Sequence, residues 1–328
     1  MVSREAVIVS GARTAIGTAF KGTLTEADAF VLGTEAVREA VRRSGLPPEA
    51  VDDVVLGESL YGGGAIGRYA AIEAGLVNAP GIAHNRHCAS GLAALQTAAA
   101  SVIAGMDRVV VAGGVQSSST APRTDRRVPG TDDWEEDWLA PSHRETPDAP
   151  IRDMTITVGW NTAVKAGISR EEMDAWALRS HRRAVAGIDA GAFEEEIFPL
   201  EVTRRDGSRT TFAVDEHPRR TTSLERLASL KPLHPEIDGF GITAGDSAAV
   251  RAFASVPIAA VRDLGLDEDL VNVLGSGCGL GRPVAMTGAR MVLTLTHELR
   301  RRGGVGVAAM CAGGGITSAL VIGVPEAV

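Results

Sequence analysis

Cys88 lies in the stretch Asn85-Arg86-His87-Cys88-Ala89-Ser90-Gly91, between an apolar approach and an alanine-rich segment. This pattern predicts a strand, a sharp turn at Cys88 and a helix, and the small residues that follow leave the sulfur open to close approach. A helix beginning there directs free N–H groups and the positive end of its dipole toward Cys88, which favours the thiolate. Such a thiolate is a nucleophile. The alternative is a buried cysteine that packs as a small hydrophobe.

The two other cysteines, Cys278 and Cys311, also lie beside glycines. Cys311 opens the run Cys311-Ala312-Gly313-Gly314-Gly315, and Cys278 lies in a glycine-rich turn where a structural role is favoured over an acid/base role. Three widely spaced cysteines make neither a disulfide framework nor a CxxC metal pattern. We therefore expect a reducing compartment and no metal site.

The composition limits the class of protein. The chain has 328 residues, 45% hydrophobic residues, 38 glycines and a net charge of −8. This is typical of an α/β protein with many tight turns, and it argues against a general nucleic-acid surface. We find neither a leader pattern nor an apolar run of about 18 residues, so we expect a cytoplasmic protein without a membrane segment. An anionic ligand would need a local basic patch. The alternative is that the arginines are simply solvated surface residues. The candidates are Arg123, Arg126, Arg127, Arg219, Arg220 and Arg226.

The elements that must position these residues alternate between strand and helix. Apolar runs and helical spacing in the first 114 residues predict helices on both faces of a largely parallel sheet. The predicted strands there are 6–9, 51–56, the approach to Cys88 and 108–114, with helices around 30–41, after the glycines 62–64 and after Cys88. Those three glycines carry no phosphate-loop signature.

The rest of the chain is divided by a polar insertion at 116–150, which contains Trp134 and Trp138. Long insertions of this kind are usually functional or disordered. Ser169 with Glu172 predicts a capping box at the start of a helix over 169–187. The other predicted helices are 154–166, 255–264 and 284–302; a strand pair around Asp206 is predicted, and single strands at 270–274, 305–310 and 318–324.

Several segments together resemble the thiolase family, the acyl-CoA acetyltransferases and 3-ketoacyl-CoA thiolases. They are Val7 to Gly17, Asn85 to Ser119, Gly167 to His181, Asp215 to Arg219, Thr287 to Arg290 and Cys311 to Gly315, in the family's order. The resemblance implies a thiolase-like fold of two related sheet-and-helix halves with a loop domain. We assign 1–246 to the first half, with the loop domain at about 116–233, and 247–328 to a shortened second half.

The resemblance also implies roles for individual residues. Cys88 matches the cysteine that carries the acyl group, and Cys311 matches the acid/base. Backbone N–H groups matching Cys88 and Gly313 form the oxyanion hole. The implied substrate contacts are Met154, Ser247 and Phe253. The implied substrate is a coenzyme A thioester in fatty acid metabolism, with no cofactor, and the implied assembly is a homodimer or homotetramer.

The sequence departs from the family pattern in three places. The family's Gly-His-Pro stands here as Gly281-Arg282-Pro283, and arginine cannot act as a general base. The Asn-Glu-Ala-Phe motif stands as Val250-Arg251-Ala252-Phe253. Between Asp246 and Ala252 a typical thiolase carries further strands and helices, and their loss is expected to expose sheet edges and apolar surface.

These departures leave alternatives open. The first hypothesis is a thiolase-like acyltransferase whose condensation or thiolysis is impaired by Arg282. The second is a non-catalytic thiolase-fold subunit that binds acyl-CoA or a partner acyltransferase. A thioester hydrolase ranks last because no water-activating base is visible. His84 and His87 are minor candidates for a replacement base, and we expect His181 and His217 to be structural.

Overall fold

The computed structural model describes residues 4–61, 65–248 and 252–324. The predicted turn at Gly62 to Gly64 and the motif residues Val250 and Arg251 lie outside the described residues. The chain divides into two compact units. Unit 1 comprises 1–122, 193–214 and 283–328, and unit 2 comprises 123–192 and 215–282. The predicted boundary between family halves at 246 remains a prediction.

The helices, in chain order, are α1 (Ala29–Ser44), α2 (Ala65–Glu73), α3 (Ser90–Ala104), α4 (Asn161–Ala166), α5 (Arg170–Asp189), α6 (Leu224–Ala228), α7 (Ser255–Leu264), α8 (Gly277–Leu280) and α9 (Thr287–Arg302). The strands are β1 (Asp53–Gly57), β2 (Ile82–His84), β3 (Val110–Gly114), β4 (Arg126–Arg127), β5 (Trp134–Glu135), β6 (Leu200–Thr203), β7 (Arg209–Phe212), β8 (Ser247–Ala248), β9 (Ala252–Phe253), β10 (Val305–Ala312) and β11 (Ile316–Gly323).

Unit 1 contains a parallel three-stranded sheet in the order β2-β1-β3. Val55 is paired with Ile82 on one side and with Ala112 on the other. Apolar side chains of β1, α1 and α2 form a buried cluster that includes Val37, Val54 and Ala70. The strand–helix alternation predicted for the first 114 residues is confirmed from β1 onward.

Helices α3 and α9 pack closely in unit 1, and glycines permit the approach. A Cβ on Gly288 of α9 would lie 2.6 Å from the backbone nitrogen of Leu92 in α3. A Cβ on Gly91 would lie 2.3 Å from the carbonyl oxygen of Ala285. Ala285 itself has a left-handed backbone, with φ 72°. The start of α3, directly after Cys88, is therefore held against the segment that leads into α9.

The antiparallel hairpin β10–β11 also belongs to unit 1, with Val305 paired with Gly323 and Cys311 with Thr317. One face of the hairpin contributes Ala308, Met310 and Ala312 to a cluster with residues of α3 and α9. The two strands predicted at 305–310 and 318–324 and the long helix predicted before them are confirmed.

The predicted strand over 6–9 is wrong, because the structure has no strand there. Val7 and Val9 are 68% and 60% exposed. A strand requires a neighbouring strand for its backbone N–H and C=O groups. Further along, Arg13 is fixed by a buried ion pair with Glu196, at 2.7 Å, and by a backbone hydrogen bond from its N–H to the Glu196 carbonyl.

Unit 2 is organised around α5, whose capping box is confirmed. The Ser169 hydroxyl accepts a hydrogen bond from the Glu172 N–H, and the Glu172 carboxylate accepts one from the Ser169 N–H. Buried residues of α5 and α7 join Phe240 and Phe253 in one apolar cluster, which includes Met173 and Trp176 of α5 and Ile258 of α7.

Two predictions for unit 2 need correction. The segment 154–166 is not one regular helix, since a π-helical stretch, Thr155–Trp160, precedes the short α4. The predicted strand over 270–274 is absent, and a 3-10 turn, Glu268–Leu270, stands at its start. Apolar alternation favoured a strand, but the described residues provide no neighbour for it. In unit 1, by contrast, the predicted pair around Asp206 is confirmed as β6 and β7.

The expectation about long apolar segments also needs correction. The segment His87–Ala104, which contains α3, is long and apolar enough to cross a membrane by length and composition. A core helix of a folded protein has the same apolar composition, and the buried residues of α3 include Leu92, Ala94 and Ala98. Within the part of the chain that the structure describes, no group of three or more His, Cys, Asp or Glu side chains is arranged to hold a metal ion.

We predict that Gly288→Ala lowers the free energy of unfolding by about 2–3 kcal/mol, because its methyl group would overlap the α3 backbone. Denaturant titration followed by circular dichroism measures this change. Gly33→Ala in α1 is the matched control, since its Cβ would meet atoms no nearer than 3.6 Å. That variant is expected to gain about 0.5–1 kcal/mol from helix propensity. Equal stability of the two variants would contradict the close approach.

Candidate functional site

The turn that carries Cys88 is held by hydrogen bonds on both sides. The Ser90 hydroxyl accepts a hydrogen bond from the Arg86 N–H at 2.9 Å and lies 2.9 Å from the Glu58 carbonyl oxygen, just beyond β1. The Ala89 N–H donates to the Arg86 carbonyl. His87 has a left-handed backbone, with φ 46°, which is uncommon for a residue other than glycine. The turn between β2 and α3 is therefore sharp, as the sequence predicted.

Cys88 itself is 9% exposed and belongs to a core cluster with Leu92 and Val292. It precedes the first residue of α3 by two positions, so the free N–H groups of that helix begin beside it. The cluster also contains Ala308, Met310 and Ala312 of β10. The structure thus packs the candidate nucleophile beside the strand that carries Cys311.

Cys311 is partly exposed near the end of β10. Side chains alternate along a strand, and Met310 and Ala312 face the cluster that holds Cys88. The side chain of Cys311 therefore lies on the opposite face of the hairpin, together with those of Val307 and Ala309. The expectation that Cys311 faces Cys88 across one site stays a prediction. Gly313 is buried in the turn between β10 and β11, where its backbone N–H is the predicted oxyanion donor.

Cys278 lies in unit 2 and has the environment of a structural cysteine. It is buried in α8, and its thiol donates a hydrogen bond to the Asp246 carbonyl at 3.4 Å. Burial raises the pKa of Cys278 to about 12, and the negative charge of Asp246 acts in the same direction. Arg282 acts in the opposite direction and with less effect. A thiol with this pKa is protonated at neutral pH, which favours the structural role over acid/base chemistry.

His181 and His217 form a stacked pair in unit 2, with ring centroids 6.0 Å apart. His181 Nδ1 accepts a hydrogen bond from the Arg219 N–H, and His217 Nδ1 donates to the Gly279 carbonyl at 2.9 Å. Burial lowers the pKa of His181 to about 4 and also lowers that of His217. Both rings are neutral at pH 7 and are held by the backbone, which supports their structural interpretation.

The other candidate histidines flank Cys88. His84 is the last residue of β2, and its Nε2 is buried without a hydrogen-bond partner among the described residues. His87 occupies the left-handed position of the turn. Neither observation identifies His84 or His87 as the general base.

The predicted substrate contacts Met154, Ser247 and Phe253 all belong to unit 2. Phe253 is buried and pairs with Ser247 across β8 and β9. Its ring packs against Gly159, where a Cβ would lie 2.7 Å from the ring. Met154 packs against the same cluster. The Ser247 hydroxyl is buried and, within the described parts of the chain, has no hydrogen-bond partner. The structure thus brings Ser247 and Phe253 together.

The arginines of the candidate basic patch mostly contact residues on the protein surface. Arg220 forms a bidentate ion pair with Asp189, at 2.6 and 2.8 Å. Arg126 pairs with Glu135 and lies over the Trp138 ring at 4.8 Å. These contacts are typical of a solvated face. Arg282 follows α8 and is partly buried.

Sequence reasoning missed a buried acidic pair in unit 2. Asp246 is fully buried, and one of its carboxylate oxygens accepts hydrogen bonds from the N–H and hydroxyl of Thr243, both at 3.0 Å. Burial raises the pKa of Asp246 to about 7, and the charge of Asp174 on α5 adds to this rise. The two residues are far apart in sequence. Asp174 lies in the quoted segment Gly167 to His181, but nothing in that segment indicates that it lies near Asp246.

Comparison with known proteins decides the family. The family model "Thiolase, N-terminal domain" matches residues 6–258, and "Thiolase, C-terminal domain" matches residues 238–324. The chain belongs to the thiolase family. An acetyl-CoA acetyltransferase of Pseudomonas aeruginosa is 32% identical over 398 residues, with 97% of this chain and 99% of the relative covered. A 3-ketoacyl-CoA thiolase of Bacillus subtilis is 29% identical, with 96% and 98% covered.

Solved structures show the same thiolase fold. The acetyl-CoA acetyltransferase of Bacillus anthracis superimposes with a TM-score of 0.85 at 29% identity, covering 97% of this chain and 98% of that one. Human mitochondrial 3-ketoacyl-CoA thiolase also gives 0.85, at 28% identity, covering 98% of this chain and 100% of the other. The predicted family, fold and acyltransferase class are confirmed.

This chain is short for a member of the thiolase family. A 328-residue chain covered to 97% cannot fill an alignment of 398 positions, so about 80 positions of the Pseudomonas relative have no counterpart. The two family models overlap at 238–258, the region where the missing segment is predicted. The position of the missing segment between Asp246 and Ala252 stays a prediction.

We predict that Asp246→Asn stabilises the protein above neutral pH. In the folded chain Asp246 keeps its proton until about pH 7, whereas an unfolded aspartate ionises near pH 4. Stability is therefore lost as the pH rises between these values, and the loss persists above pH 7. The Asn variant lacks this loss, so its advantage is expected to grow by about 2 kcal/mol from pH 5 to pH 8.

Urea unfolding at several pH values measures this difference. Asp189→Asn is the control, because Asp189 lies in an exposed ion pair with Arg220 that solvent screens, so its loss should have little effect on stability across this pH range. An Asp246→Asn advantage that stays constant with pH would contradict the raised pKa.

Proposed function

We propose that this thiolase-family chain accepts acyl groups from coenzyme A thioesters on Cys88. The observation that carries the proposal is the Cys88 turn at the start of α3, packed in one core cluster with the end of β10. The Cys88 thiolate attacks the thioester carbonyl, the C–S bond to coenzyme A breaks, and the coenzyme leaves as a thiol after taking a proton. Backbone N–H groups of Cys88 and Gly313 stabilise the oxyanion.

Cys311 is the proposed acid/base for the second half of the reaction. It removes an α-proton from a second acyl-CoA, and the resulting enolate attacks the acyl carbonyl on Cys88. The C–S bond to Cys88 then breaks, which releases a 3-ketoacyl-CoA and restores the Cys88 thiolate. Arg282 replaces the histidine implied by the family resemblance, and its guanidinium carries positive charge but cannot accept a proton. We therefore expect acylation of Cys88 to proceed and condensation or thiolysis to be strongly impaired.

The remaining properties follow from the same proposal. Met154, Ser247 and Phe253 are the proposed substrate contacts, no cofactor is needed beyond the coenzyme A of the substrate, and the chain acts in the cytoplasm as a homo-oligomer. The named relatives include an acetyl-CoA acetyltransferase, which supports a short acyl group.

We predict that incubation with acetyl-CoA adds one acetyl group to Cys88, detected by intact-mass spectrometry and peptide mapping. Cys88→Ala is expected to abolish the adduct. Cys278→Ala is the matched control and should retain it, because Cys278 is buried and protonated. Cys311→Ala should also retain the adduct, since Cys311 acts only in the second step. A wild-type chain without an adduct, or an adduct that survives Cys88→Ala, would reject the proposal.

A second candidate function is a non-catalytic thiolase-fold subunit. The sequence Gly281-Arg282-Pro283 and the roughly 80 missing positions favour it. This candidate requires zero acylation of Cys88 together with co-purification of an intact thiolase-fold partner. Acylation of Cys88 without any such partner excludes it.

A further inference from the structure

His234 lies between two carboxylates in unit 2, and the reaction proposed above does not use it. Its Nε2 lies 2.7 Å from an oxygen of Asp153, and its Nδ1 lies 2.8 Å from an oxygen of Glu236. A neutral imidazole has one donor nitrogen and one acceptor nitrogen, whereas an imidazolium has two donors. Because ionised carboxylates only accept hydrogen bonds, this geometry fits the protonated ring.

The charges around His234 also favour its protonated form. Burial lowers the pKa of His234, but the Glu236 and Asp153 carboxylates outweigh this effect, so the pKa lies above its ordinary value. Among the described residues, these carboxylates are the two charged groups within ion-pair distance of the ring. The Asp153 side chain is 31% exposed and that of Glu236 is 65% exposed. Solvent therefore screens the contact with Asp153 less than the contact with Glu236.

Asp153 joins His234 to the start of the π-helical stretch Thr155–Trp160. The other oxygen of Asp153 accepts hydrogen bonds from the N–H of Thr155, at 2.9 Å, and from its hydroxyl. The Thr155 hydroxyl is buried and also lies 3.1 Å from His234 Nε2. Met154, a proposed substrate contact, lies between Asp153 and Thr155 in the sequence. These contacts therefore hold the backbone on both sides of Met154.

Aromatic contacts join His234 to the other end of the same stretch. The His234 ring packs edge-on against the Phe240 ring, with centroids 5.0 Å apart, and Phe240 packs against Trp160 at 5.2 Å. Just before Trp160, a Cβ on Gly159 would lie 2.7 Å from the ring of Phe253, another proposed substrate contact. His234 is therefore linked to both ends of the π-helical stretch, and that stretch packs against Phe253.

Building on the proposed function, we propose that His234 is a positioning residue for the substrate contact Met154. Carboxylates engage both ring nitrogens, so the ring acts through the segment that it holds and not on the substrate. The protonated ring keeps Asp153 beside Glu236. After loss of a proton, one ring nitrogen presents a lone pair to a carboxylate and repels it. Met154 is then held less firmly, and acetyl-CoA binds more weakly.

The direction of the pH dependence follows from the raised pKa. A group whose pKa is higher in the folded chain stabilises the folded arrangement while it is protonated, and this contribution is lost as the pH rises through the folded pKa. The pKa of His234 lies above its ordinary value. The contacts of His234 are therefore complete in mildly acidic solution and weaken in mildly alkaline solution.

Calorimetric titration of the full chain with acetyl-CoA tests the proposal. All variants carry Cys88→Ala, so binding is measured without acylation. His234→Phe keeps an aromatic ring but loses both donors, and it is expected to raise the dissociation constant about 10-fold at about pH 6. His234→Gln keeps an amide that can donate to Asp153, so it is expected to stay within about 3-fold. His297→Gln is the matched control, since His297 also pairs with a carboxylate, that of Glu195, at 3.1 Å.

The pH profile separates positioning from simple loss of structure. Between about pH 6 and pH 9 the dissociation constant with His234 present is expected to rise, relative to that with His234→Gln, by about 3- to 10-fold. Titration of acetyl-CoA itself affects all variants equally and cancels in this ratio. His297→Gln should keep the profile of the chain with His234 and His297 intact. Circular dichroism verifies that each variant is folded.

Three results overturn the proposal: an unchanged dissociation constant in folded His234→Phe, a pH profile that His234→Gln leaves unaltered, and no binding of acetyl-CoA to Cys88→Ala. If His234→Phe fails to fold, the profile of His234→Gln decides. Failure of the proposed function gives a different pattern, in which wild-type Cys88 acquires no adduct while the His234 substitutions still change binding as described. An adduct on Cys88 with no effect of His234 on binding rejects the positioning role alone.

Discussion

The contact between the start of α3 and the segment leading into α9 determines where Cys88 lies. Gly91 and Gly288 lack the side chains that would separate these segments, so Ala285 lies against the Gly91 backbone and Leu92 lies against the Gly288 backbone. A Cβ on Gly114, at the end of β3, would lie 2.2 Å from the same Ala285 carbonyl oxygen. One short segment of the last third of the chain thus contacts both the Cys88 turn and the end of β3 in the parallel sheet.

Two apolar segments of unit 1 lack neighbouring strands among the described residues. The first apolar stretch, Val7 to Val9, is exposed and forms no strand, and the hairpin β10–β11 forms a sheet by itself. The core next to Cys88 does not depend on such neighbours, because α3, α9 and one face of the hairpin bury one another.

Local signals predicted much of the fold. The capping box of α5, the amphipathic spacing of α1 and the turn at Cys88 each depend on residues near one another in sequence. The strands predicted at 6–9 and 270–274 failed, because a strand also needs a neighbour that the sequence pattern does not reveal. The burial of Cys278 beside Asp246, and the approach of Gly288 to Leu92, join distant parts of the chain. Such contacts follow from packing and carry no local signal.

We propose that the turn before α3 presents Cys88 as a reactive thiol, whereas Cys278 is a structural one. Alkylation of the folded protein with iodoacetamide, followed by peptide mass mapping over time, distinguishes the two. Cys88 is expected to be labelled early, and Cys278 only after unfolding. Labelling of Cys278 as fast as Cys88, or of Cys88 only in denaturant, would contradict it.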